Sequence, residues 1–528
     1  MKVLISDKLA DEGIEILKSH KDLEVDVNTG LKPEELKKII KDYDAIIIRS
    51  ATKLKEDIIE AADNLKFIGR AGVGLDNVDL KAATKKGIIA MNTPAGNTTS
   101  TAEQTMSLIL SLSRNIPQAC ASLKAGRWDR AKYKGVELYG KTIGIIGLGR
   151  IGSTVASFCK AFGMTVIAFD PFLSKEVGEQ KGVDMVDEVV DILKVADYVS
   201  VHIPKSSETT NLITAKEFDL MKPTARLINC ARGGIVNEPD LVNALKENKI
   251  AGAAVDVYEQ EPPDFALELF QLENCVATPH LGASTSEAQI NVAIEIAHAI
   301  SNALLGKGIV NAANFPSLDA EAHKALEPYV TLASQMGKFA GQLLNGRISE
   351  INVTYSGVVT NYKTVPITLS LVNGLLKPIL GESINFVNAL DLAKERGINV
   401  ESINSTKEEE FVNCIQAKIK TDKEPFEIWG TLSGNNQPRI VKVNNVYVEA
   451  VPDGNMLFIN NNDKPGIVGA VGTLLAEVKI NIAGITFGRE NQGGKAISVV
   501  NVDSEVSQET IDKIKSTKDV LFVKFLKV

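Results

Sequence analysis

The stretch from Thr142 to Asp170 constrains this chain more than any other. A short apolar run, Thr142 to Ile146, leads directly into Gly147, Leu148, Gly149, Arg150, Ile151 and Gly152, and a helical pattern follows over Ser153 to Phe162. In a unit of this kind the first glycine permits the tight turn, the second lets backbone approach a pyrophosphate, and the third allows helix and strand to pack closely. The amides at the start of the helix then point at the phosphates. The next strand pattern, Thr165 to Asp170, ends on an acid at the spacing where a carboxylate takes the adenosine ribose hydroxyls. Pro171 and Phe172 follow rather than an arginine, so the site reads as one for NAD rather than NADP. Strand, helix and Asp170 together set it apart from a glycine-rich turn in an unrelated α/β fold.

The same rhythm runs through the first three-fifths of the chain. Strand patterns at Val3 to Asp7, Leu23 to Asn28, Ala45 to Arg49, Lys66 to Gly69 and Ile88 to Asn92 alternate with helical ones. A second series comprises Thr142 to Ile146, Thr165 to Asp170, Tyr198 to His202, Ala225 to Asn229, Ala251 to Asp256 and Cys275 to Thr278. Alternation of this kind predicts two Rossmann-like parallel-sheet domains in tandem. Helical patterns at Ala102 to Arg114 and Ser286 to Leu305 border the second series, and the latter is placed to return the chain to the first unit. The expected organisation is a split first domain over residues 1–97 and 286–314, with a dinucleotide domain over 98–285 inserted in it.

Beyond Val310 the rhythm weakens. Residues 315–450 mix a helix (Tyr329 to Leu344) with β-rich runs (Glu350 to Ser356, Phe426 to Leu432, Arg439 to Val443), which predicts an α+β domain between the dehydrogenase-like part and the C-terminus. Residues 451–528 read strand, helix, strand, strand, helix, strand, the order of a ferredoxin-like βαββαβ unit.

A chain of 528 residues calls for three to five such units. Lys and Arg number 58 against 66 Asp and Glu, with no basic block, so the charge footprint of a nucleic-acid binder is missing. The five cysteines (Cys120, Cys159, Cys230, Cys275 and Cys414) are scattered without metal-ligand spacing, which argues for free thiols in the cytoplasm and against a zinc site. No apolar stretch is long enough to span a bilayer, and none is expected to meet one.

A dinucleotide site poses the question of what else reacts. Hydride chemistry on a hydroxy acid needs a base for the hydroxyl proton and a cation for the carboxylate. Of five histidines, His20 and His298 sit in helical patterns and His323 in a polar connector, whereas His202 and His280 end strands, where α/β sheets bind ligands. His280 has the better setting, because Glu261 follows another strand end, and a carboxylate beside an imidazole favours the charged ring and fixes its tautomer. Arg232, within Asn229-Cys230-Ala231-Arg232-Gly233-Gly234, stands at a third strand end among small neighbours that would let a guanidinium face a carboxylate. Taken singly, each has a plainer reading: a structural histidine, a solvated loop charge, a turn-capping arginine.

Taken together, and in this order, Arg232, Glu261 and His280 resemble the pattern of the D-isomer-specific 2-hydroxyacid dehydrogenases, over roughly Met1 to Asn314. The resemblance implies His280 as acid/base, Glu261 as its partner and Arg232 as substrate anchor. It also implies cofactor contacts from Gly147, Gly149, Arg150, Ile151, Gly152, Asp170 and Pro171. Further contacts would come from His202, Ile203 and Pro204, from Cys230, Ala231 and Arg232, and from Asp256, His280, Gly282 and Ala283.

Within that family the two additional C-terminal domains resemble those of the long-form phosphoglycerate dehydrogenases, which implies 3-phosphoglycerate as substrate and therefore a phosphate pocket. Arg49, Arg70 and the turn Gly72-Val73-Gly74, whose amides could hold an anion, match positions the family uses for substrate. Arg130, beside Trp128, resembles a residue that reaches a neighbouring subunit's site; its plainer reading is a surface charge. The last domain resembles an ACT regulatory module. In relatives such modules pair edge to edge around serine, with Asn461, Asp463 and Asn481 at the positions that meet it, although Asn and Asp are also ordinary turn residues before a helix. Pairing and a lent arginine both imply a homo-oligomer, with a symmetric tetramer favoured. Two rival readings share these residues: a sibling enzyme reducing glyoxylate, hydroxypyruvate or pyruvate, and a non-catalytic NAD sensor acting through protein partners.

Overall fold

Strands β1 (Lys2–Ile5), β2 (Glu24–Val27), β3 (Ala45–Ile48), β4 (Phe67–Arg70) and β5 (Ile89–Met91) form one parallel sheet in the order β2-β1-β3-β4-β5. The computed structural model describes residues 1–318, 320–405, 411 and 413–528. The run Ala-Ile-Ile-Ile of β3 is wholly buried, as expected of a parallel strand covered on both faces. One of those covers is the helix Ser286–Leu304, whose Ile296 and Ile300 lie against Gly69 of β4. The chain therefore comes back to this sheet after the second one. Asn314 fastens the return by accepting from the Ala90 amide at 2.9 Å and donating to the Ile88 carbonyl at 2.8 Å.

The second sheet holds seven parallel strands: β6 (Thr142–Ile146), β7 (Thr165–Phe169), β8 (Asp184–Met185), β9 (Tyr198–Val201), β10 (Arg226–Asn229), β11 (Gly252–Val255) and β12 (Cys275–Ala277). Their order, β12-β11-β10-β9-β6-β7-β8, reverses between β6 and β9. That reversal is where open α/β sheets leave a crevice at their carboxyl ends. Only β8, two residues long, is absent from the sequence expectation.

The third sheet is mixed, as an α+β domain requires. Strand β13 (Ile348–Ser356) runs parallel to β14 (Asn399–Ser405) and antiparallel to β15 (Cys414–Thr421); β16 (Phe426–Ser433), β17 (Gln437–Val443) and β18 (Val446–Ala450) continue the antiparallel side. Helices Ala320–Leu343 and Val365–Leu380 pack together backbone to backbone, since a β-carbon on Gly337 would meet the Leu371 carbonyl oxygen at 2.2 Å and one on Gly374 that of Ser334 at 2.4 Å.

The C-terminal unit has the expected βαββαβ order: β19 (Asn455–Asn462), helix Ile467–Glu477, β20 (Ile482–Arg489), β21 (Lys495–Val502), helix Gln508–Lys515 and β22 (Val520–Lys527). Its antiparallel sheet, β20-β21-β19-β22, leaves β20 and β22 as edges. Leu457, Ile459 and Val500 face the unit's own helices, while Met456, Phe458 and Val499 join the core of the third unit. There the Phe458 ring stands edge-on to Phe339, with centroids 5.8 Å apart. Among the described residues no helix is long and apolar enough to cross a membrane.

Candidate active site

The glycine turn after β6 is built as its sequence requires. Gly147 takes φ 95°, and a β-carbon there would meet the His202 carbonyl oxygen at 2.7 Å, while one on Gly152 would meet the Gly147 carbonyl oxygen at 2.0 Å. At Gly149 the same atom would stand in open space. Two glycines thus close the turn and the middle one leaves room above it, at the amino end of the helix Arg150–Ala161 and at the sheet's reversal point. The Asp170 carboxylate accepts from the Leu148 amide at 2.9 Å and from the Phe172 amide at 3.0 Å, so it both shapes the turn and faces it. These residues fit a dinucleotide.

His202, Ile203 and Pro204 lie at the end of β9, on the other side of the reversal. Burial pushes the His202 imidazole down to about 4, and its Nε2 lies 2.8 Å from the Ser200 hydroxyl, so this ring is neutral near pH 7. Of the two strand-end histidines it is the one unsuited to proton transfer.

His280 is the other. Its Nδ1 stands 2.7 Å from Glu261 Oε2, and Glu261 Oε1 accepts from the Tyr258 amide at 3.1 Å. Burial alone would raise the Glu261 carboxyl, but the hydrogen bond and charge of His280 outweigh it and leave the group below its ordinary value. His280 itself takes φ 55°, a left-handed conformation that costs a residue with a β-carbon about 1 to 3 kcal/mol. The carboxylate of Asp256 holds the turn by accepting from Leu281 and Gly282 amides, both at 2.8 Å, and from the Thr278 hydroxyl at 2.5 Å. Asp256 is fully buried. The family resemblance implies a cofactor contact for it, and its carboxylate holds the loop that carries His280, Gly282 and Ala283.

The pair opens on a cleft of about 640 Å³ between the first two sheets. Arg49, Arg70, Gly72, Val73, Gly74 and Arg232 line it, together with Glu261, His280 and Ala283. Arg49 directly follows β3 and Arg70 ends β4, and the Nε atoms of both are buried without a hydrogen-bond partner. Burial, and next the charge of Arg232, pushes Arg70 down to about 10. Three guanidiniums converging here, two with unsatisfied buried donors, call for an anion. Gly72 and Gly74 have an additional reason to be glycine. A β-carbon on Gly72 would stand 2.9 Å from Arg70 Nη1, and one on Gly74 would stand 2.1 Å from Arg232 Nη2.

The remaining expected residues have other surroundings. Cys230 is buried under the Arg232 loop, where burial pushes its thiol up to about 12. Arg130 is exposed, beside the 81% exposed Trp128, and does not line its own chain's cleft. The three C-terminal candidates do not meet within one chain. Asn461 is paired through β21 with the Arg489 end of β20, whereas Asn481 precedes the opposite end. Asp463 is engaged by Arg489 Nη1 and the Gly493 amide, both at 3.0 Å, and Asn481 by Asp503 at 2.8 Å.

The cleft also contains residues that sequence reasoning missed: Lys53, Asp76, Asn77, Lys205 and Gln289. Asp7 lies behind it, accepting from the Arg49 amide at 2.6 Å and the Thr52 hydroxyl at 2.8 Å, and Asn77 donates to the Arg49 and Thr52 carbonyls at 2.6 Å each. An acid two residues beyond the apolar run of β1 was the available signal for Asp7.

Fold and site together define an NAD-dependent dehydrogenase acting on an anionic hydroxy acid. Residues 106–282 match the D-isomer specific 2-hydroxyacid dehydrogenase NAD-binding domain, residues 325–444 the D-3-phosphoglycerate dehydrogenase intervening domain, and residues 455–519 the ACT domain. A D-3-phosphoglycerate dehydrogenase of Methanocaldococcus jannaschii is 44% identical over 98% of both chains, and one of Bacillus subtilis is 39% identical over 99% of both. A D-lactate dehydrogenase structure from Aquifex aeolicus, complexed with NAD and lactic acid, superposes with a TM-score of 0.53 at 29% identity, covering 60% of this chain and 100% of its own. The chain belongs to the D-3-phosphoglycerate dehydrogenase family.

Proposed function

We propose that the protein oxidises 3-phospho-D-glycerate to 3-phosphohydroxypyruvate with NAD, the entry step of L-serine synthesis. The observation that carries this is the meeting of the His280–Glu261 pair with three guanidiniums in one cleft. Relatives of that name aligned over the whole chain support it.

Bound NAD supplies the acceptor for the hydride leaving C2 of the substrate. The chain's own residues supply the rest. With Nδ1 committed to Glu261, His280 is left with Nε2 to take the hydroxyl proton, and the carboxylate beside it compensates the charge the ring gains. Arg232 holds the substrate carboxylate and Arg49 with Arg70 the phosphate, a division that suits an acid charged at both ends. A sibling dehydrogenase working on an unphosphorylated acid would have no use for the second cationic cluster.

The same reading extends to regulation. Asn461 and Asp463 stand at one end of their sheet and Asn481 near the other, so one serine can touch all three positions only if two chains pair antiparallel along an edge strand such as β20. This favours a homo-oligomer, a tetramer if the dehydrogenase parts also pair and Arg130 serves a neighbour's cleft. The five free cysteines suit the cytoplasm. NADH formation from 3-phosphoglycerate, titrated with serine and paired with light scattering for the oligomer, tests the scheme. Turnover restricted to unphosphorylated acids would move the assignment to a sibling enzyme, and NAD binding without turnover would restore the sensor.

A further inference from the structure

Asp76 faces the cleft from the loop that follows β4, on the opposite wall from Arg232. Arg232 donates from Nε to Asp76 Oδ2 at 3.3 Å and from Nη1 to its neighbour's carbonyl, Ala231, at 2.7 Å. Those two contacts grip the guanidinium on two edges, one from each side of the cleft. Its third nitrogen, Nη2, faces Gly74, where a side chain would collide with it. The nearby Arg70 guanidinium repels Arg232 and is attracted by Asp76, so a carboxylate at this point offsets the mutual repulsion of two cations that both await an anion.

We propose that Asp76 is a positioning residue for the substrate carboxylate: it reaches across the cleft and sets the plane of the Arg232 guanidinium before the anion arrives. The inference rests on the reading above that Arg232 receives that carboxylate. Asp76 does not touch the reacting atoms and acts through Arg232 alone. Its side chain is 63% exposed, and exposed ion pairs add little to stability, so the fold does not depend on the contact.

Steady-state kinetics with 3-phosphoglycerate and NAD on D76N, D76E, R232K and the double variant D76N/R232K, with NADH affinity from fluorescence and Tm alongside, tests this. D76N is expected to raise KM for 3-phosphoglycerate about fivefold with kcat within about twofold, and with NADH affinity and Tm unchanged. D76E is expected to recover most of the loss, since it restores a carboxylate. In the R232K background the same D76N step is expected to shrink below about twofold, because the planar fork it aims is gone. A wild-type KM in D76N, a full fivefold effect in both backgrounds, or parallel losses in kcat, NADH affinity and Tm would each overturn the proposal. If R232K itself leaves KM unchanged, the carboxylate reading of Arg232 fails and takes this inference with it. If R232K is impaired and D76N is not, only the inference fails.

Discussion

Glu261 Oε2 stands 2.7 Å from His280 Nδ1, and its other oxygen is tied to the Tyr258 amide. The carboxylate is thus fixed to the backbone of its own loop and, through it, fixes which ring nitrogen of His280 faces the cleft. H280A is therefore expected to lower kcat by about 10² to 10⁴ while NADH still binds, as measured by stopped-flow turnover and fluorescence titration. Near-normal turnover would remove His280 from proton transfer.

The depressed Glu261 carboxyl makes a second prediction, on stability. A group held below its ordinary value of 4.5 stabilises the fold fully above that value and loses the contribution as pH falls through its folded-state value. The group is more than a third exposed, so the contribution is about 1 kcal/mol or less. E261Q should unfold at a slightly lower temperature than wild type at pH 7, with the gap closing as pH falls below the ordinary carboxylate range. A gap independent of pH, followed by calorimetry, would mean that packing and not charge is what the substitution removes.

Asp170 should prove decisive for cofactor affinity and of little consequence for folding. Its two hydrogen bonds order the glycine turn, at the spacing where an acid takes the adenosine ribose hydroxyls. D170A is expected to raise KM for NAD about tenfold or more with Tm within a few degrees, read from NAD titrations and thermal melts.

Gly74 offers a test that leaves every charge in place. A methyl group there would stand 2.1 Å from Arg232 Nη2 and 2.5 Å from Asp76 Oδ2, and displacing the guanidinium by a fraction of its width is expected to lower kcat/KM for the substrate about ten- to hundredfold. NADH affinity should be unaffected, because the glycine turn after β6 lies elsewhere.

A fourth region bears on how the C-terminal units reach the cleft. Asn388 Nδ2 donates to the Lys85 carbonyl at 2.9 Å, so the third unit grips the C-terminal turn of the helix Leu80–Lys86. The N-cap of that helix, Asp79, follows Asn77, whose amide holds the Arg49 loop. If serine acts from the last unit, N388A should raise the serine concentration for half-inhibition about threefold, within the range of single-residue coupling effects. An unchanged serine response would put the coupling elsewhere.

Much of this architecture is legible in the sequence because it is local. The alternation of apolar strands with amphipathic helices fixes the two parallel sheets, and β6 with its glycine turn carries its cofactor geometry within thirty residues. The third unit is less legible. Its apolar helix Val365–Leu380 contains Pro366 at its start and Pro378 inside, β15 carries Lys418 and Lys420 on one face, and β18 is only five residues long. Asp76 went unread for another reason. Nothing in its neighbourhood marks it, and its meaning lies in a contact with a residue 156 positions away. The family resemblance alone points to Asp256, and only packing shows that its carboxylate also holds the Leu281 and Gly282 amides of the His280 loop. The C-terminal candidates show the converse limit, since sequence puts Asn461 in β19 and Asn481 just before β20, the next strand in the chain, but does not reveal that they lie at opposite ends of the sheet.

Arg232, Arg49 and Arg70 share one cleft, which suits it to oxidise an acid bearing both a carboxylate and a phosphate. NADH formation measured by absorbance with 3-phosphoglycerate, against D-glycerate at the same concentrations, tests it most directly. A kcat/KM at least about a hundredfold higher is expected for the phosphorylated acid, the scale that follows when two charge-assisted contacts are lost together. Equal turnover of both acids would contradict it, because Arg49 and Arg70 would then have no phosphate to hold.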